Sequence, residues 1–123
     1  MNSLQYAEYL SDDELQKVAP LLKRLKKLED RSESQNDFLK FVNKIWSGFI
    51  EGKHHKIYGE KLQAVADGKI KRLIVNMPPR HTKSEFASFL FPAWLMGKRP
   101  DLKIIQATHT AELAVGFGRK VKN

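Results

Sequence analysis

A short apolar run that passes through a tight loop straight into a helix constrains this chain more than any other feature. The run covers residues 73–77, Leu-Ile-Val-Asn-Met, and the loop continues as Pro-Pro-Arg-His-Thr-Lys-Ser-Glu to residue 85. An apolar helical pattern begins directly afterwards. When a helix starts at the end of a strand, its free amides and its positive end converge on phosphate oxygens. We therefore interpret this stretch as a buried strand followed by a phosphate-binding P-loop.

The spacing departs from the standard pattern G-x-x-x-x-G-K-[ST], because Met77 and Thr82 occupy the two glycine positions. Pro78 and Pro79 have no amide hydrogen, so the donors to phosphate must come from residues 80–85. A β-branched residue with positive φ is a rare outlier. We therefore expect a negative φ at Thr82 and a loop rebuilt around its prolines.

The loop residues have distinct expected roles. Lys83 supplies a mobile charge to the phosphates, and the Ser84 hydroxyl coordinates Mg²⁺. Arg80 adds a second cation that can bind γ-phosphate oxygens in a bidentate manner or act as an arginine finger supplied from the same chain. We expect Arg80 and Lys83 to be the catalytic residues, with ATP and Mg²⁺ as cofactors. The expected phosphate-binding residues are Arg80, His81, Thr82, Lys83, Ser84 and Glu85.

The balance of charge favours a polyanionic partner, since 22 Lys and Arg residues against 14 Asp and Glu give a net charge of +8. There is no cysteine, so disulfides and thiolate metal sites are excluded. The longest apolar stretch, residues 86–96, falls short of the roughly 20 residues that a membrane span needs. The amino-terminal residues lack the pattern of a secretory signal. We expect a soluble protein that is not exported and has no membrane partner.

Helices are predicted through the first half of the chain. Ser11 and Glu14 form a capping box before a basic amphipathic helix that contains Pro20. Its basic face is interpreted either as a surface for DNA or a partner protein, or as the solvated side of a packing helix. The polar residues 29–36 are the best candidate for a linker. An aromatic-rich helix follows from Phe38, and another helix ends at Asp67-Gly68.

After the loop, the pattern predicts a buried helix interrupted at Pro92 and a second strand over residues 102–107. A last helix follows, capped by Thr108 or Thr110. Its predicted inward-facing residues are Leu113, Ala114 and Phe117. Strand, loop, helix, strand and helix in this order are typical of an α/β fold with a parallel sheet. Only two such strands are present, which is few for a free-standing sheet.

The predicted organisation is an amino-terminal helical region with its linker over residues 1–36, and the front part of a P-loop ATPase domain over residues 37–123. The four histidines, which include the adjacent pair His54 and His55, raise the alternative of a metal site. No H-E-x-x-H spacing and no acidic cluster accompany them. Loop or packing histidines are the better explanation.

Three segments together resemble the large terminase subunit of tailed bacteriophages, and the likeness spans roughly Phe38 to Asn123. They are Lys-Arg-Leu-Ile-Val-Asn-Met-Pro-Pro-Arg-His-Thr-Lys-Ser at 71–84, Phe-Pro-Ala-Trp at 91–94 and Ile-Ile-Gln-Ala-Thr-His-Thr-Ala-Glu-Leu-Ala at 104–114. In that family Pro-Pro-Arg-His-x-Lys-Ser is a variant of the P-loop. The resemblance implies an incomplete P-loop NTPase sheet of the RecA-like class.

The resemblance also implies a function, namely an ATPase motor that translocates double-stranded viral DNA into a procapsid and a nuclease that cuts the concatemer. The implied partners are viral DNA, the portal protein, the small terminase subunit and further copies in a ring. The implied location is the host cell cytoplasm. By the family pattern Lys83 holds the β and γ phosphates, Ser84 the Mg²⁺ and Arg80 the γ-phosphate. Gln63 is a candidate for adenine binding, and a surface helix position explains it equally well.

The chain departs from the family in length. No apolar strand that ends in acidic residues follows the loop, and no acidic cluster for a two-metal nuclease is present. Both elements are expected beyond Asn123, so the sequence predicts the front part of a terminase. Two alternatives remain. One is another nucleic-acid ATPase such as a helicase, which Thr82 disfavours, and the other is a basic nucleic-acid-binding or assembly adaptor without catalysis.

Overall fold

The computed structural model describes residues 11–123, and the regular structure in this range is helical. The helices are α1 (Asp12–Asn36), α2 (Phe38–Ile45), α3 (Lys53–Ala66), a π-helical segment (Glu85–Leu90), α4 (Phe91–Lys98) and α5 (Ala111–Lys122). No strand or sheet occurs among residues 11–123. The predicted α/β fold with an incomplete parallel P-loop sheet is therefore wrong for this structure. Within the same range, no helix combines the length and apolar character needed to cross a membrane.

The two predicted strands show why the pattern misled. In the first segment the exposure of the side chains alternates, since Leu73, Val75 and Met77 pack against the core whereas Ile74 is 88% exposed. In the second segment Ile105 is 95% exposed. No backbone hydrogen bond joins residues 71–79 to residues 102–107. A strand must form backbone hydrogen bonds with a neighbouring strand, and neither segment has such a neighbour among the described residues.

The core is formed by side chains from α2, α3 and the helical stretch that follows the loop. Phe38 lies at its centre and makes edge-on contacts with the rings of Phe86 and Phe91, with centroids 5.5 and 5.7 Å apart. The buried apolar residues are Phe38, Val42, Tyr58, Leu62, Ala66, Phe86, Leu90 and Trp94. Since aromatic side chains bury the largest areas, this cluster is the main source of tertiary stability.

The predicted linker is instead the carboxyl-terminal part of α1, which continues without a break to Asn36. The Trp94 indole donates a hydrogen bond to the Ser34 carbonyl across 2.9 Å, and both residues are buried. Residues 29–36 are therefore helical and attached to the core at Ser34, and they are not a flexible connection. The division of the chain into domains at this point stays a prediction.

The helix after the loop is not broken at Pro92 as predicted, because helical structure continues from Glu85 to Lys98. Its winding changes from π-helical to α-helical at Phe91, directly before the proline. Proline has no amide hydrogen, so the Ser88 carbonyl four residues earlier loses its α-helical donor. The side-chain amide of Gln106 donates to that carbonyl across 2.8 Å. Residues Glu85–Leu90 are wound as a π-helix before α4 begins, and such bulges accommodate local disruption of the helical ladder.

Helix α5 confirms the predicted cap, because the Thr110 side chain accepts a hydrogen bond from the Leu113 amide across 3.3 Å. The predicted direction of its apolar side chains is only partly right. Leu113 is 42% exposed, and no residue of α5 is buried. The helix therefore lies on the outside of the described structure.

Gly59 permits a close approach of α3 to α2. A Cβ atom built at this position would lie 2.6 Å from Cγ of Leu39 and 2.7 Å from its Cδ2. These distances are shorter than carbon atoms tolerate. By contrast, a Cβ at Gly116 in α5 would meet no heavy atom within 4 Å.

The substitution Gly59→Ala is expected to destabilise the chain by about 1–3 kcal/mol, because the new methyl group displaces Leu39. The matched substitution Gly116→Ala is expected to stabilise by about 0.5–1 kcal/mol through lower backbone entropy in the unfolded chain. Urea unfolding followed by circular dichroism measures both. Equal effects of the two substitutions would show that α2 and α3 are not in contact at Gly59.

Candidate functional site

The loop before the π-helical segment wraps around a cavity of about 370 Å³ that is lined by residues 77–85. This volume is within the range of small-molecule sites, roughly 300–1,000 Å³. The first helical hydrogen bond runs from the Phe86 amide to the Thr82 carbonyl, 2.9 Å. The amides of Lys83, Ser84 and Glu85 therefore lie in the first turn, where helix geometry provides no carbonyl partner. Free amides at a positive helix end favour an anion.

The side chains expected to bind phosphate are arranged around this turn. The Lys83 ammonium group donates to the Met77 carbonyl across 3.3 Å, a long bond to a neutral acceptor. Arg80 and Ser84 are exposed. An incoming phosphate would offer Lys83 a charged acceptor, and charge-assisted hydrogen bonds are roughly twice as strong as neutral ones.

The prediction of a negative φ at Thr82 is wrong. Thr82 has φ 60° and Arg80 has φ 63°, so both adopt the left-handed conformation. The hypothesis of a loop rebuilt around its prolines fails with it. At the position before the lysine, threonine has the positive φ that glycine adopts without steric cost. Backbone strain of this kind costs about 1–3 kcal/mol per residue and must be balanced by neighbouring contacts.

His55 supplies one such contact from α3. Its Nε2 lies 3.0 Å from Oγ1 of Thr82, and its Nδ1 accepts a hydrogen bond from the Gly52 amide across 2.9 Å. Thr82 Oγ1 in turn donates to the His81 carbonyl across 2.6 Å. Because Nδ1 is an acceptor here, the proton of the neutral ring is on Nε2 and points to Thr82. The four groups form one consistently directed chain of hydrogen bonds.

Burial of the imidazole lowers the pKa of His55 below its ordinary value, and the nearby His54 and His81 rings lower it further against the opposing effect of Glu51. His55 is 6% exposed, and its ring lies beside Phe49 and Phe86, with centroids 4.8 and 5.5 Å away. Protonation would also place a hydrogen on Nδ1, where the Gly52 amide already donates. The neutral form is thus the one that fits the site.

Two further contacts fix the carboxyl-terminal end of the loop. The Tyr58 hydroxyl donates to the Lys83 carbonyl across 3.3 Å. The Glu85 carboxylate forms a 2.8 Å ion pair with Lys120 of α5. His81, expected at the phosphate site, is exposed and its Nδ1 donates to the Pro79 carbonyl across 2.9 Å. Sequence reasoning missed Tyr58 and Lys120, because neither belongs to a local motif.

Gln63 has a structural role in the described chain. Its side-chain oxygen accepts from the Phe38 amide at the start of α2, 3.1 Å, and its nitrogen donates to Asp67 across 3.2 Å. Both ends of the amide are therefore occupied. To bind adenine as predicted, Gln63 would have to release these two hydrogen bonds.

The residues present fit Mg²⁺ only in company with phosphates. Within residues 11–123, no group of three or more His, Asp or Glu side chains is placed to hold a metal ion. Ser84 can offer one hydroxyl oxygen. Since Mg²⁺ commonly keeps several waters and takes its remaining ligands from one or two protein oxygens and substrate phosphates, one hydroxyl is compatible with a nucleotide-bound ion.

Comparison with known proteins adds no relative. No family model matches the chain, and no curated protein or solved structure matches it significantly. The resemblance to phage terminases therefore rests on the segments quoted above, at 71–84, 91–94 and 104–114. It stays a prediction.

The stability of the chain is expected to fall as the pH drops below about 6.5, the ordinary pKa of histidine. The folded state holds His55 neutral with a lowered pKa. The contribution of His55 to stability is therefore complete above the pKa of the unfolded chain and is lost as the pH falls towards the pKa of the folded chain. For one proton, the free energy of unfolding decreases by at most about 1.4 kcal/mol per pH unit. Urea unfolding at intervals between pH 7.5 and 5 measures this slope.

The control is His55→Gln, which removes the titrating group and keeps a donor near the position of Nε2. The slope between pH 6.5 and 5 is expected to decrease in this variant. Glu14 and Glu33 also have shifted pKa values, but their pKa is lowered from 4.5, so their effect begins below this window. An unchanged slope in His55→Gln would assign the titration to another group.

Proposed function

We propose that this chain binds Mg²⁺-ATP at the loop of residues 77–85, as the nucleotide-binding part of a phage DNA-packaging motor. The observation that carries the proposal is the loop itself. Three free amides, the Lys83 ammonium and the left-handed Thr82 surround one cavity at the start of a helix. The proposal does not depend on a sheet, because helix packing alone positions these groups.

The roles of the residues follow from their chemistry. The amides of residues 83–85 bind phosphate oxygens, and Lys83 leaves the Met77 carbonyl to neutralise the β and γ phosphates. Arg80 binds the γ-phosphate with its planar guanidinium group. Mg²⁺, held in part by Ser84, would supply charge neutralisation between the phosphates. Arg80 and Lys83 are thus the proposed catalytic residues.

Nucleotide binding is better supported than hydrolysis. Hydrolysis requires a group that orients the attacking water and carboxylates that support the metal ion. Glu85 is the one carboxylate in residues 77–85, and it is paired with Lys120. We therefore assign ATP binding to this loop and expect slow turnover.

The proposed partners and location are based on the resemblance to terminases and on the net charge of the chain. A net charge of +8 suits a protein that handles double-stranded DNA. We include viral DNA, the portal protein, the small terminase subunit and a ring of identical copies among the proposed partners. The proposed location is the cytoplasm of the host cell, where procapsids are filled.

The substitution Lys83→Ala is expected to weaken Mg²⁺-ATP binding by roughly 10- to 100-fold, the loss expected for a charge-assisted hydrogen bond. Isothermal titration calorimetry with a non-hydrolysable ATP analogue measures the affinity. Lys103→Ala is the matched control, since it removes an equal charge at an exposed position outside the loop. Equal affinity of wild type and Lys83→Ala would refute the proposed nucleotide site.

A second function, binding of nucleic acid without nucleotide chemistry, is favoured by the surface of α1. The basic residues 23, 24, 26 and 27 of this helix are exposed. Most of them lie on a different face of the helix from its apolar residues. Such a basic surface can interact with successive phosphates of a duplex. A helicase has no comparable support, because its loop would be expected to keep glycine before the lysine.

Replacement of residues 23, 24, 26 and 27 by glutamine is expected to weaken binding to a 30-base-pair duplex equally for unrelated sequences. The slope of log K against log salt should fall by roughly one for each phosphate that the variant no longer neutralises. Fluorescence anisotropy at several salt concentrations measures this. Lys83→Ala should leave the slope unchanged if ATP and DNA use separate surfaces, whereas an unchanged slope in the glutamine variant would exclude α1 as the DNA surface.

A further inference from the structure

One of the two left-handed residues of the loop, Thr82, has a partner outside the loop. Thr82 has φ 60°, a conformation that costs an L-residue roughly 1–2 kcal/mol, and β-branched residues adopt it rarely. In a loop with glycine at this position the conformation has no steric cost. This chain therefore needs another source of stabilisation for the same backbone shape.

The hydrogen bonds around His55 meet this need. The Gly52 amide fixes Nδ1, which leaves the Nε2 proton directed at Thr82 Oγ1, 3.0 Å away. The Thr82 hydroxyl must then use its own proton on the His81 carbonyl, 2.6 Å away. The bond to the preceding carbonyl fixes the hydroxyl relative to the local backbone. The bond from His55 fixes it relative to α3.

The position of the imidazole is itself fixed by the core. His55 is 6% exposed, and its ring contacts Phe49 and Phe86. Phe86, which is fully buried, lies four residues after Thr82 and donates its amide to the Thr82 carbonyl. Thr82 is thus held through its side chain by α3 and through its carbonyl by the following helix.

We infer that His55 is a positioning residue of the phosphate site, which holds Thr82 in the left-handed conformation that glycine would adopt unaided. The inference rests on the proposed nucleotide site and adds the group that maintains its shape. His55 does not touch the nucleotide. It determines the fraction of molecules whose loop is ready to bind, and apparent affinity decreases in proportion to that fraction.

The decisive experiment combines His55→Ala with Thr82→Gly and measures affinity for Mg²⁺-ATP and the melting temperature of each variant. His55→Ala alone is expected to weaken ATP binding by roughly 5- to 30-fold, the factor that corresponds to the left-handed penalty of threonine. In the Thr82→Gly background the same substitution should change affinity by less than about twofold, because glycine needs no support at positive φ. His55→Gln, which keeps a donor, should recover part of the loss in the threonine background.

A purely structural role of His55 gives a different result. If the ring only fills the core, His55→Ala weakens binding equally whether residue 82 is threonine or glycine, and the inference is wrong. Leu62→Ala serves as the control for general destabilisation, since Leu62 is buried in α3 and forms no part of the loop. It should lower the melting temperature and leave ATP affinity unchanged at temperatures where the chain is folded.

The melting temperatures separate this inference from the proposed function. If wild type and Lys83→Ala bind ATP equally, the nucleotide site is wrong, but the coupling of His55 to Thr82 is still measured by the four variants of the cycle. The decrease in melting temperature caused by His55→Ala should be larger with threonine at residue 82 than with glycine, by on the order of 3 °C or more. Equal drops would overturn the inference whatever the ATP result.

Discussion

The burial of Phe86 is the interaction on which the rest of the described structure depends. Its side chain is fully buried and makes ring contacts with Phe38 of α2, with His55 and Tyr58 of α3, and with Phe49 between them. Burial of one such side chain contributes about 1.5–3 kcal/mol, and each aromatic pair adds to that. Because Phe86 lies directly after the loop, the same burial fixes where the helix begins. The free amides of residues 83–85 are thereby placed relative to α2 and α3.

This arrangement explains how the loop can keep strained residues. The left-handed conformation of Thr82 has a cost that no local feature of the sequence removes. The aromatic cluster orients His55, the Tyr58 hydroxyl holds the Lys83 carbonyl, and Lys120 holds Glu85. These contacts come from α3 and α5, not from the loop itself. Strain at a loop of this kind is common where a ligand binds, since the loop must keep a shape that it would not adopt in isolation.

The sequence predicted those parts of the fold that depend on neighbouring residues. The Glu14 carboxylate binds back to the Ser11 amide, Gly68 with φ 76° ends α3, and Thr110 caps α5. These are interactions over a few positions, and short motifs encode them. The sheet was predicted from two short apolar segments, residues 73–77 and 102–107, but pairing of strands depends on partners that such segments do not reveal. The described residues supply no such partner.

The same distinction applies to the candidate site. The residues from Arg80 to Glu85 are consecutive, so a motif could identify them, and their convergence on one cavity follows from the start of the helix. His55 is 27 positions from Thr82, and Lys120 is 35 positions from Glu85. No spacing rule connects these pairs. The one local signal of these contacts was Thr82, which stands where the standard loop pattern has glycine. A residue that breaks a conformational rule implies compensating contacts elsewhere.

Threonine at position 82 also makes the conformation of the loop depend on the neighbouring helix α3. A loop with glycine keeps its shape whatever happens in the neighbouring helix, because glycine adopts positive φ freely. Here the shape depends on a hydrogen bond from an imidazole that is held by Phe49 and Phe86. Any change that shifts α3 or protonates His55 therefore reaches the backbone of the loop through one side chain. Threonine at the position where the standard loop pattern has glycine thus couples the loop to the core of the described structure.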